Sequence, residues 1–131
     1  MAFKIHSTDD GRVPGLEYLP CAAITPKVGM ALTQTGGVLT TAAGTTAPTY
    51  ICMCERETPV EAGTIIPVVR VGKDMVFETS FSAAATSVKL GSKVTLASGG
   101  LQVTATTTDG VAEVVYMDGT AAGDMCRVRI A

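Results

Sequence analysis

Tryptophan is absent from this chain, and its aromatic residues amount to three Tyr and three Phe in 131 positions. The core therefore has to be built from Val, Ile, Leu, Met, Ala and Cys, and a sugar-binding face of stacked rings is poorly supplied. Charge is scarce as well: 17% of residues are Asp, Glu, Lys or Arg, the formal net charge is −2, and no basic cluster occurs. Gripping a phosphate backbone needs a basic face, so nucleic acid is not an expected partner. Long apolar runs are missing too. Polar residues interrupt every stretch before it reaches membrane-spanning length, so no membrane partner is expected either. The opening residues, MAFKIHSTDD, hold one Lys and no apolar segment and do not read as a secretory signal.

Constellations that carry chemistry are missing in the same way. The single His is His6, and the four cysteines (Cys21, Cys52, Cys54, Cys126) include no Cys-x-x-Cys pair, so a metal site would lean on His6 alone. Cys52 and Cys54 are alternate residues of one apolar stretch and share a face, a poor start for a disulfide between them. All four read as buried free thiols of a reducing cytoplasm rather than as the nucleophile of a small cysteine-dependent enzyme. Asp9, Asp10, Asp109, Asp118 and Asp124 each neighbour a Gly or another turn residue, and they read as turn formers rather than as a calcium loop. Glu55, Glu57 and Glu61 read as a solvated loop. There is no Gly-x-Ser-x-Gly and no Gly-rich phosphate cradle. No catalytic residue, cofactor or metal is expected.

What the chain does have is strand-forming sequence. It is 47% apolar with a mean hydropathy of +0.35, long enough for one domain with a real core. So much apolarity beside so little charge implies apolar surface meant for partners. The stretch Pro59–Thr79, PVEAGTIIPVVRVGKDMVFET, places two β-branched runs about Gly72-Lys73, which predicts a tight type II′ hairpin. Pro67 cannot donate to a ladder and predicts an edge strand or a bulge. Gly36-Gly37 predicts a turn between MALTQ and VLTTA, and TYICMC, apolar on both faces, predicts a central strand. SFSAAATSV, residues 80–88, reads as a loop with at most one short helical turn. KLGSKVTLASGGLQVTATT is the cleanest hairpin. In the last strand Cys126, Val128 and Ile130 share one face, and Arg127 and Arg129 the other. The fold class is all-β, a compact antiparallel barrel or sandwich. The corners Ala62-Gly63 and Ala122-Gly123 are near copies, too isolated to define a repeat array.

Residues 1–19 read differently, as an extended N-terminal arm on a single barrel-like domain of residues 20–131. The arm's first residues, Ala2, Phe3, Lys4, Ile5 and His6, alternate as a short strand would, given an edge to pair with; the other reading is a frayed terminus. An arm of this kind could be deleted without loss of the folded body.

Three segments, VKLGSKVTLASGGLQV, EVVYMDGTAAGDMCRVRIA and EAGTIIPVVRVGKDMVFE, make the chain resemble the small decoration, or cement, proteins of tailed-bacteriophage capsids, the lambda-type head decoration proteins among them. The likeness spans roughly residues 20–131 as a pattern of strands and turns. It implies a β-barrel-like fold, a homotrimer at three-fold positions, and attachment to the major capsid protein through an arm ordered on the shell, here residues 2–6. The implied function is a structural virion protein that stabilises the capsid, found on the outer capsid surface and in the host cytoplasm during assembly. The alternative is a receptor- or glycan-binding β module of a phage tail or fibre.

Overall fold

The computed structural model of the chain describes residues 2–8, 11 and 14–131; the turn expected at Asp9 and Asp10 lies outside them. Among the described residues ten strands follow in order: β1 (Lys4–Ser7), β2 (Leu16–Pro20), β3 (Ala31–Thr35), β4 (Val38–Thr41), β5 (Tyr50–Cys52), β6 (Ile65–Arg70), β7 (Val76–Ser80), β8 (Lys93–Val94), β9 (Ala112–Met117) and β10 (Met125–Ile130). They form two antiparallel five-stranded sheets packed as a sandwich that does not close into a barrel. The N-terminal sheet has the order β2-β6-β5-β3-β4 and the C-terminal sheet β1-β7-β10-β9-β8. No helix occurs among the described residues, and 80–88 is a loop.

Alternation decides the faces. On β10, Cys126, Val128 and Ile130 are buried while Arg127 and Arg129 point away. With Phe77, Val94, Ala112 and Val114 they meet Ala31, Ile51 and Val69 of the N-terminal sheet in the core between the sheets. The N-terminal sheet is apolar on its other face as well. There Leu32, Tyr50, Cys52, Ile66 and Val68 form a second cluster with Cys21, Met30 and Leu39. Loops coat this second face, tied together by Val60 N to Ile24 O at 3.0 Å and Arg56 N to Pro26 O at 2.9 Å. β5, in the middle of its sheet and wholly buried, is the central strand that TYICMC predicts.

The two halves of the chain repeat one another. Between β2 and β6 the pairs are Glu17↔Val68, Tyr18↔Pro67, Leu19↔Ile66 and Pro20↔Ile65. Between β7 and β10 they are Phe77↔Val128, Glu78↔Arg127, Thr79↔Cys126 and Ser80↔Met125, the same register sixty positions on. Tyr50↔Arg70 and Cys52↔Val68 likewise match Ala112↔Ile130 and Val114↔Val128. Irregular backbone bonds repeat too: Cys21 N to Thr64 O matches Phe81 N to Asp124 O, and Gly63 N to Cys21 O matches Gly123 N to Phe81 O. Gly29 N to Cys52 O matches Gly91 N to Val114 O. Residues 16–71 and 76–131 are thus two versions of one unit. The Ala-Gly corners, unconvincing alone, hold equivalent places, with Gly63 at φ +90° and Gly123 at +88°. The halves stack back to front: Ala31, Ile51 and Val69 pack on the second half, whereas their counterparts Lys93, Glu113 and Arg129 carry charge on its outer face.

Several expectations change. Gly72-Lys73 does not close a hairpin, because β6 and β7 lie in different sheets; it is the link between the two units. A polar turn between two strand-like runs shows that the chain reverses, not that the runs pair. Pro67 lies in an inner strand. Its carbonyl accepts from Met53 N at 3.0 Å, and β5 ends at Cys52, so the missing N–H falls just past the last strand residue of its neighbour. The hairpin of residues 89–107 survives as a short ladder around the Leu96↔Val103 bridge, while β8 pairs with β9. The segment expected as a detached arm is tied to the body through β1 on β7 and β2 on β6.

Candidate functional site

The five arm residues lie in or beside an edge strand. Lys4 pairs with Glu78, Ile5 with Phe77 and Ser7 with Val76, with an irregularity at His6. The alternation sends Phe3 inward and leaves Lys4 and His6 exposed; Ala2 and Ile5 are half-buried. Phe3 is 4% exposed and meets Phe77 edge to face at 6.4 Å between ring centroids, at 87°. Its N–H donates to Gly29 O at 3.0 Å. A groove of about 400 Å³ runs beside it, floored by Ile51 and Met53 and walled by Val28 and residues 2–5. The strand expected here forms from Lys4 onward, with Ala2 and Phe3 leading into it, and the edge it uses is the chain's own. That edge was hidden in sequence because the partner, β7, lies some seventy positions away and carries no mark of edge position.

A second feature went unnoticed in the sequence. On the face of the N-terminal sheet that bears Val69, the β2–β6 ribbon carries Leu16, Tyr18 and Pro20 opposite Val69, Pro67 and Ile65. Leu16 is 49%, Tyr18 64% and Ile65 57% exposed, so an apolar shelf stands open. Its signal in sequence is the alternation in LEYLP, inside the segment that reads as an arm. On the opposite face Glu17 is held by Arg70 in a two-point pair, Nε–Oε2 and Nη2–Oε1 both 2.9 Å, and the guanidinium lies 5.1 Å from the Tyr50 ring centroid. The shelf itself is free of charge.

Compared with known proteins, the sequence matches no family model and no curated protein.

The other candidate groups are occupied structurally. Cys21, Cys52 and Cys126 are buried free thiols, and Cys54 is half-buried. Cys52 and Cys54 share a face, as their spacing requires, with Sγ atoms 3.9 Å apart. Burial pushes the Cys52 and Cys126 thiols up to about 12, which leaves them protonated and unreactive at neutral pH. Among the described residues no group of three or more His, Cys, Asp or Glu is placed to hold a metal ion. Arg127 lies 4.6 Å over the Tyr116 ring centroid and pairs with Glu78 at 3.2 Å. Tyr116 Oη donates to Asp118 at 2.7 Å, which raises the phenol's pKa. That ring offers one free face at most.

Proposed function

We propose that the chain is a structural virion protein that binds the outer surface of a phage capsid, contacts the major capsid protein and cements the shell. The observation that carries this reading is the pair of stacked β units. One buried apolar cluster joins the two units and a second fills the outer face of the first, so the body is a rigid β block with sheet edges to offer a partner. The turn-and-strand likeness over residues 20–131 supports the same reading. Residues 2–6 remain the proposed shell contact, now as a fixed edge strand. The outer side of β1 is open among the described residues, and a strand of the shell can add to it. Because β1 is already ordered on β7, such an addition spares the backbone ordering cost of roughly 1–2 kcal/mol per residue that a free arm would incur. Modest contacts per copy, repeated at every symmetric position, hold the shell through avidity.

The test is to add purified protein to expanded shells that lack it, and to measure co-sedimentation and the temperature at which the shells rupture. The expected result is saturable binding and a higher rupture temperature. No binding under any condition, with equal heat resistance, would end the proposal. Specific glycan binding in its place would favour the tail-module reading.

A further inference from the structure

The duplication shows what an edge of this kind takes. In the second unit the outer edge of β7 is covered by β1, with Lys4 opposite Glu78 and Ser7 opposite Val76. Sixty positions earlier, Tyr18 and Leu16 hold those places on β2, and among the described residues nothing pairs with their outer side. The backbone there is aimed outward. Pro67 turns its carbonyl toward Met53, away from β2, so Tyr18 opposite it turns both N–H and C=O away from β6, and Leu16 two residues earlier does the same. Edge strands are usually guarded by Lys, Pro or a bulge. The outward-facing positions 16 and 18 have none of these; Glu17, the one charge on β2, turns to the opposite face and is held by Arg70, and Pro20 lies beyond them at the end of the strand.

The geometry points to a second copy of this chain as the occupant, β2 laid antiparallel on β2 about a two-fold axis. The shelf beside the edge is apolar and uncharged, so it complements itself. Identical antiparallel strands also close on each other and leave no further β2 edge to propagate. Leu16 of each copy exchanges backbone hydrogen bonds with Tyr18 of the other, and the two shelves join on one face of a continuous sheet. This register brings the two Glu17 carboxylates together at the axis. Each already carries its own Arg70, which offsets their repulsion and makes Arg70 part of the interface. The pairing is independent of shell binding, and it differs from the trimer that the capsid-protein resemblance implies.

Sedimentation equilibrium of the full chain over a wide concentration range, with amide exchange on the same samples, tests this. The expected result is a dimer whose Leu16 and Tyr18 amides are protected. Tyr18→Lys and Leu16→Lys should each weaken it about tenfold or more, and Arg70→Gln should weaken it measurably. All three side chains are exposed, so these variants keep the fold. Leu90→Lys, at a residue 66% exposed elsewhere on the surface, should leave the dimer unchanged. A monomer at every concentration, a trimer, a dimer indifferent to Tyr18→Lys and Leu16→Lys, or a dimer with those amides unprotected would each overturn the inference.

Discussion

Cys52 and Cys126 occupy matching interiors, one in each unit, and both are held as neutral thiols. Cys52 lies in the outer cluster of the first unit, with Cys54 beside it, and Cys126 lies in the core between the sheets. An unfolded thiol ionises near the ordinary value of 9.0, whereas these two keep their protons to about 12. Above pH 9 the unfolded chain therefore binds fewer protons than the folded one. Their contribution to stability is complete below pH 9 and is lost as pH rises from there toward 12. Urea midpoints measured at neutral pH and above pH 9 should fall with pH. In a Cys126→Val variant the fall should be shallower, because one of the thiols that burial keeps protonated, Cys21 and Cys52 being the others, has gone. Equal slopes in the two proteins would show that Cys126 takes no part in the loss.

At the scale of elements, the N-terminal strand is held in place by a glycine that its structural counterpart does not need in the same way. Gly29 and Gly91 are equivalent and share a left-handed backbone, φ +85° and +89°. A Cβ at Gly91 would meet nothing within 4 Å, but at Gly29 it would lie 2.5 Å from Phe3 O and 2.7 Å from Ala2 Cβ. Gly91→Ala should cost only the backbone strain, on the order of 1–3 kcal/mol. Gly29→Ala carries that strain and also pushes residues 2 and 3 off the body. It should lower the urea midpoint further and speed amide exchange along β1, leaving β9 and β10 protected. Equal losses for the two variants would mean that β1 is not seated as described.

For the molecule as a whole, the stacking of the two units makes it one cooperative body. Ile51 and Val69 belong to the first unit's sheet yet lie in the core shared with the second. Truncating Ile51 to Ala should cost roughly 2–5 kcal/mol. The loss should be felt equally by both units, so that amides of Val68 and Val128 open with the same free energy. Two separate melting transitions would show units that fold independently. Removing residues 2–12 strips β1 from β7 and Phe3 from Phe77, so it should lower stability rather than leave the body untouched.

The all-β class, the Gly36-Gly37 hairpin, the central place of β5 and the inward face of β10 were legible in the sequence. Each depends on alternation or a turn residue within a few positions, and β geometry turns that local pattern directly into a face. The sequence also showed Ala2–His6 as strand-competent. What it could not show was which edge a strand meets. Pairing partners in a sheet are remote in sequence, and the strength of a strand's own pattern does not depend on its neighbour. So Gly72-Lys73 looked like a hairpin until β6 and β7 fell in different sheets, and Pro67 looked like an edge until β5 ended beside it. Beyond the Ala-Gly corners, the duplication was hidden for a related reason. Equivalent positions such as Val69 and Arg129 face a core in one unit and solvent in the other, so stacking demanded unlike side chains on like backbones. Only the tertiary structure, by covering β7 with β1 and leaving the outer sides of β1 and β2 unpaired among the described residues, decided which edges the molecule has to offer.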